Sequence, residues 1–119
     1  MKNILAVGLF AFFGGILRYL LSSSFSDAGI LIANVVGSFI LAFLTYYVIE
    51  KDLLAGWLDL GLGTGMIGAF TTFSSFATIT INLTEQSFLV GLGYFLFSIL
   101  GGFLAAFLGY LLAQLLIRL

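Results

Sequence analysis

Gly61-Leu62-Gly63-Thr64-Gly65-Met66-Ile67-Gly68-Ala69-Phe70-Thr71-Thr72-Phe73-Ser74-Ser75-Phe76 is the stretch on which the fold turns. It lies inside an uncharged run of 25 residues, Leu60 to Thr84, bounded by Asp59 and Glu85. A helix needs about 20 apolar residues to cross the hydrocarbon of a bilayer, so the run is long enough to span a membrane. Its interior is unusual. Gly61, Gly63, Gly65 and Gly68 weaken a helix, the Thr71-Thr72 pair resists it slightly, and Ser and Thr hydroxyls compete for backbone groups. Two readings stand. In one, a local break frees backbone carbonyls, which at mid-membrane are tolerated only under protein or beside a cavity and which suit an alkali cation. In the other, the glycines form a close-packing helix face.

Outward from this stretch, charges punctuate the chain and leave three more long gaps. Asn3 to Leu17 is uncharged, and Arg18 can snorkel to the headgroups, extending the first span to about Leu21. Ser22-Ser23-Ser24 then reads as the opening of a loop. Ala28 to Ile49 gives 22 uncharged residues closed by Glu50-Lys51-Asp52, and Gln86 to Ile117 gives 32, more than one straight crossing requires. The predicted spans are 3–21, 28–49, 60–84 and 88–117, one four-span domain over residues 1–119. Short loops make consecutive helices antiparallel neighbours and put both termini on one side. A signal peptide is the rival reading of the N-terminus, because Lys2 precedes an apolar run with serines after it. Three similar spans follow it, as in a polytopic protein.

Composition agrees with membrane residence. Of 119 residues 62% are hydrophobic and 8% charged, against about a quarter charged in an ordinary soluble domain. A net charge of −1 supplies no basic surface, which excludes nucleic acid as a partner. With no Cys and no His there is no disulfide, no thiol nucleophile and no ordinary zinc or haem ligand set. All five carboxylates fall at span ends, so no acid/base pair suggests an enzyme. Lys2, Lys51 and Arg118 lie on the side of the termini and Arg18 on the other. That weak bias leans toward a cytoplasmic N-terminus and permits both orientations.

Four helices enclose side chains rather than a water-filled route, so an oligomer is expected. Small residues at four-residue spacing, namely Ala11 with Gly15, Ala33 with Gly37, Gly61 with Gly65, and Ser98 with Gly102 and Ala106, serve either an oligomer or packing within the chain. Polar residues inside the spans are few and clustered. Asn34 and Ser38 share one face of the second span, and Tyr94 and Ser98 repeat that spacing in the fourth. Each pair offers two hydrogen-bond donors, to another helix or to a permeating group. Phe73 and Phe76 leave the Thr-Thr stretch on one face. Ring edges carry the positive end of the aromatic quadrupole and favour a small anion when they line a narrow path. Among fourteen phenylalanines, lipid contact or packing is the ordinary role.

Gly14-Gly15-Ile16-Leu17-Arg18-Tyr19, Asn34-Val35-Val36-Gly37-Ser38-Phe39 and Gly68-Ala69-Phe70-Thr71-Thr72-Phe73-Ser74-Ser75-Phe76, in this order in so short a four-span chain, resemble the Fluc fluoride-channel family, also called CrcB. The third block is the specific one. Departures are Gly102 where many relatives place a hydroxyl, Ser75 where Thr is usual, and Phe10-Ala11 in place of a glycine pair. The resemblance implies an all-α integral membrane protein whose third helix is broken, assembled as an antiparallel homodimer of inverted topology in the bacterial plasma membrane. It implies a passive fluoride channel with two pores at the subunit interface and a structural Na+ on the two-fold axis. By position, Gly68 and Thr71 would give carbonyls to the Na+, and Phe73 and Phe76 would present ring edges to fluoride. Asn34 would point its amide donors into the pore. Ser74, Tyr94 and Ser98 would supply hydroxyls along the route, and Arg18 would attract anions at a vestibule. The alternative is a small dimeric four-span exporter of the multidrug type. Such a device needs a membrane-buried carboxylate to couple protons, and none lies inside these spans.

Overall fold

A computed structural model describes residues 1–119. All of the regular secondary structure is helical. Helix α1 (Lys2–Phe25) is followed by α2 (Asp27–Phe43), whose last turns, Leu44–Ile49, are wound in the wider π form. A short α3 (Gly56–Leu60) runs through π-type turns Gly61–Ile67 into α4 (Gly68–Phe70), and α5 (Phe73–Gln86) and α6 (Phe88–Arg118) complete the bundle. Four helical stretches, Lys2–Phe25, Asp27–Ile49, Gly56–Gln86 and Phe88–Arg118, are long and apolar enough to cross a membrane. They make this a multi-pass membrane protein.

Two boundaries differ from the sequence reading. Ser22-Ser23-Ser24 is the last turn of α1 and opens no loop; the reversal is compressed into Ser26, which takes φ 59°. The hydroxyls do not unwind the helix because the turn needs only one residue in an unusual conformation. Arg18 therefore stands seven residues, about 10 Å at 1.5 Å per residue, before the end of α1. The third span begins earlier than predicted, so Asp59, read as its boundary, lies in its first turns together with Trp57. Helix α6 is unbroken over 31 residues. Its length of about 46 Å exceeds the roughly 30 Å hydrocarbon thickness, which leaves tilt as the accommodation.

Helix α2 packs along α6, α1 packs along the Gly61–Ile67 turns, and α5 also lies on α6. The tightest seam is made by glycine. A Cβ on Gly14 would run into the Met66 carbonyl, and one on Gly65 would meet the Val7 carbonyl at 2.6 Å, so α1 and the third span touch backbone to backbone. Of the small-residue pairs, Ala33, Gly37, Gly61 and Gly65 are buried and serve contacts within the chain, while Gly15 faces open space. At the end holding both termini, the Lys2 ammonium lies over the Trp57 ring at 5.9 Å and the Lys51 ammonium over the Tyr47 ring at 5.4 Å. Cations on aromatic rings are interfacial anchors, the charge reaching headgroup water and the ring staying at the hydrocarbon edge.

Only 16 of 119 residues are buried, and none of them is polar or charged. A chain with so little interior leaves its Phe and Leu faces to lipid or to another protein surface.

Candidate functional site

Thr71 and Thr72 stand in the third span between α4 and α5. Both have extended backbone, ψ 157° and ψ 121°. β-Branched residues tolerate that conformation well. Most of its hydrogen-bonding groups find partners. The Thr71 N–H and the Thr71 hydroxyl both donate to the Ile67 carbonyl at 3.0 Å. The Thr72 N–H, which in a continuous helix would donate to Gly68, donates to Asn34 Oδ1 at 2.7 Å, and Asn34 Nδ2 donates to the Thr72 carbonyl at 3.0 Å. The Thr72 hydroxyl then caps α5 by accepting from the Ser75 N–H at 3.2 Å.

One consequence concerns two carbonyls. In an α-helix the Gly68 carbonyl would accept from Thr72 and the Thr71 carbonyl from Ser75. Both donors are diverted, one to the Asn34 amide and one to the Thr72 hydroxyl. Gly68 and Thr71 thus each present a carbonyl without its helical partner. Those oxygens can accept from a donor or coordinate a hard cation. No cluster of His, Cys, Asp or Glu able to hold a metal exists in the chain, so cation binding here would rest on neutral oxygens.

Beside this segment lies a cavity of about 280 Å³ lined by Asn34, Gly37, Ser38, Leu41, Thr71, Thr72, Phe73 and Phe76. Gly37 is required by close approach, since a Cβ there would overlap the Thr71 methyl. Asn34 keeps one amide N–H after its bond to Thr72. The Ser38 hydroxyl is engaged with the Asn34 carbonyl at 2.8 Å on its own helix. The Phe73 and Phe76 centroids are 5.8 Å apart at 53°, and Phe76 also stacks on Tyr94 at 6.1 Å and Phe95 at 5.9 Å. The two rings differ sharply in environment. Phe76 is 8% exposed, whereas Phe73 is 79% exposed and stands at the surface of the chain.

Asn34, Phe73, Phe76 and Thr71 therefore meet in one place, and Gly68 adjoins it in sequence. Ser74, Ser98 and Arg18 are not in its lining, and Tyr94 reaches the site only through its ring on Phe76. Ser74 faces a second cavity of about 320 Å³ with Ser22, Asp27, Ser75 and Thr78, toward the end remote from the termini. Ser22 follows Arg18 by one turn on the same face of α1. The Thr72 and Ser74 hydroxyl oxygens lie 3.4 Å apart, joining the rims of the two cavities. The Tyr94 hydroxyl donates to the Asp27 carbonyl at 3.0 Å and ties α6 to the start of α2. The Ser98 hydroxyl is buried with no partner.

Sequence reasoning missed Thr72, which pairs with Asn34 and caps α5. The signal was present: Thr is among the residues favoured as an N-cap, and Thr72 stands just before a helical run. It also missed the second cavity, because Ser22, Asp27 and Thr78 come from three helices and share no local spacing.

The chain is 50% identical over 115 residues to the fluoride-specific ion channel FluC 2 of Ligilactobacillus salivarius, covering 94% of this chain and 85% of that protein. It is 41% identical over 109 residues to the fluoride-specific ion channel FluC of Thermotoga petrophila, covering 85% and 86%. With the fluoride-specific ion channel FluC 1 of Bacillus cereus it shares 38% over 120 residues, covering 94% and 88%. The family described as "CrcB-like protein, Camphor Resistance (CrcB)" matches residues 5–110. That match contains Asn34, the Thr71-Thr72 segment and both phenylalanines, and with relatives this similar over most of their length the chain belongs to the CrcB-like family.

Proposed function

We propose that the chain forms a fluoride-selective channel through which the anion leaves the cytoplasm passively, down its electrochemical gradient. The observation that carries this is the uncharged cavity in which the Asn34 amide meets the Phe73 and Phe76 rings. Fluoride is small, hard and strongly hydrated, so a path for it must offer several neutral donors in place of water. Ring edges and one amide N–H do this without the deep Coulomb well that a Lys or Arg would create in a low dielectric. Arg18 lies outside this cavity and would draw anions toward the mouth on the Ser22 and Ser74 side. Such a protein makes and breaks no covalent bond and is not an enzyme.

The working unit is a homodimer of opposite membrane orientation. Support for a partner comes from Phe73, a site residue 79% exposed in one protomer, and from an interior of only 16 buried residues. A second copy would cover Phe73 and close the cavity into a pore, one on each side of the two-fold axis. The third span is then a broken membrane helix with a purpose. Gly68 and Thr71 of each subunit would hold a Na+ on the axis, which fits two carbonyls lacking helical donors and the absence of nearby carboxylates. Bound there, Na+ supplies positive charge that holds two subunits together.

The test is anion efflux from liposomes containing only this protein. Fluoride is expected to leave much faster than chloride, with no pH gradient imposed. Strict dependence on a proton gradient, or equal chloride flux, overturns the reading.

A further inference from the structure

We infer that Asn34 is a positioning residue for the cation site as well as a wall of the anion cavity, so that one side chain serves both ions. The inference rests on the channel reading above. A primary amide is suited to this because it can donate to a carbonyl and accept from an N–H of the same residue at once. Asn34 does both to Thr72, at 3.0 and 2.7 Å, from α2, 38 residues away in sequence. The pairing copies what a neighbouring strand gives an extended residue. It gives Thr72 a reason to stay extended inside a helical span.

Without it, the Thr72 N–H needs another acceptor, and the one its register offers is the Gly68 carbonyl. Closing that bond rewinds the helix and removes Gly68 from any cation. The Thr72 hydroxyl is a second latch of the same design: while it accepts from Ser75, the Thr71 carbonyl stays free. Each latch thus guards one of the two carbonyls, and Asn34 guards Gly68. Gly37, by admitting the Thr71 methyl against α2, brings the two elements close enough for the amide to reach. Because equilibrium coupling is reciprocal, a cation that favours extended Thr72 also fixes the Asn34 amide, leaving its second N–H oriented at the cavity.

The experiment measures Na+ binding apart from conduction. The purified protein is unfolded thermally in detergent across a Na+ titration, with N-methylglucamine as the replacement, and amide exchange of the Thr72 segment is followed with and without Na+. In the wild type, Na+ is expected to raise the unfolding temperature and to slow exchange at Thr72. Asn34→Ala should move the half-saturating Na+ concentration upward by about tenfold or more, as two hydrogen bonds of ordinary net strength are lost. Thr72→Ala should move it the same way by a smaller factor. Phe73→Ile should lower fluoride flux and leave the Na+ half-point where it was. Wild-type half-points in both Asn34→Ala and Thr72→Ala overturn the inference while leaving the channel reading intact. Should Asn34→Ala fail to fold, Thr72→Ala and the wild-type exchange decide, and exchange at Thr72 indifferent to Na+ counts against it. A wild type whose stability and flux both ignore Na+ sinks the cation site itself.

Discussion

Two neighbouring stretches of the third span, Gly61–Ile67 and Gly68–Phe76, handle the same problem in opposite ways. The first holds three glycines, yet its backbone stays helical, merely wound into wider π turns. Its glycines serve contact: Gly65 meets the Val7 carbonyl and Gly61 meets the Phe10 ring. The second has one glycine at its start, and its extended residues are the threonines Thr71 and Thr72. Loss of helical propensity alone does not decide where a membrane helix departs from its path. In hydrocarbon an unpaired backbone group costs several kcal/mol. The departure falls where replacement partners exist, and these are the Asn34 amide and the Thr72 hydroxyl.

The largest effect that would test this division belongs to the second stretch. The double change Phe73→Ile and Phe76→Ile removes both ring edges and keeps bulk. With about 1 kcal/mol from each ring at the constriction, fluoride flux per folded protein is expected to fall about thirtyfold. Wild-type flux in the double variant would strip the second stretch of its assigned chemistry and reduce it to packing.

The first stretch is expected to answer in stability. Gly14→Ala places a methyl against the Met66 carbonyl, a rigid backbone atom that cannot swing aside. Overpacking of this kind costs about 1–3 kcal/mol, read as a lower unfolding temperature in detergent. Flux per folded channel should change far less than in the phenylalanine variant. If Gly14→Ala instead abolished flux at unaltered stability, the seam between α1 and the third span would belong to the conduction machinery.

Much of this was legible in the sequence. The four spans follow from gaps between charges, and the special run Thr71–Phe76 follows from polar and aromatic residues packed together where apolar ones are the rule. Asn34 was readable as a residue that must find a partner, but the partner, Thr72, lies 38 positions away and only the packing of α2 on the third span brings them together. Ser22-Ser23-Ser24 misleads because serine is permitted in helices, and the reversal needs only Ser26 at φ 59°. Tyr94 is a different case. Its spacing from Ser98 suggests a shared donor track, yet its hydroxyl is engaged with the start of α2.

Tyr94 accordingly gives a smaller and sharper test. Tyr94→Phe keeps the ring that stacks on Phe76 and deletes the bond to the Asp27 carbonyl. The loss is expected near 1 kcal/mol of stability, with a flux reduction well below that of the phenylalanine pair. A reduction as large would place the hydroxyl on the fluoride route, ahead of its role in tying α6 to α2.

Gly15 carries the smallest expected effect and discriminates most cleanly between packing within a chain and packing between chains. Its neighbour Gly14 is buried against Met66, while nothing lies within 4 Å of where a Gly15 Cβ would be. In an isolated protomer Gly15→Ala is therefore expected to stabilise α1 slightly, by up to about 1 kcal/mol, through helix propensity alone. In the proposed homodimer the outcome depends on which surface Gly15 faces. If that surface is lipid, cross-linking yield and unfolding temperature should match or slightly exceed those of the wild type. If it is the partner, the added methyl should separate the subunits, and the yield of cross-linked dimer should fall although no contact inside the chain has changed.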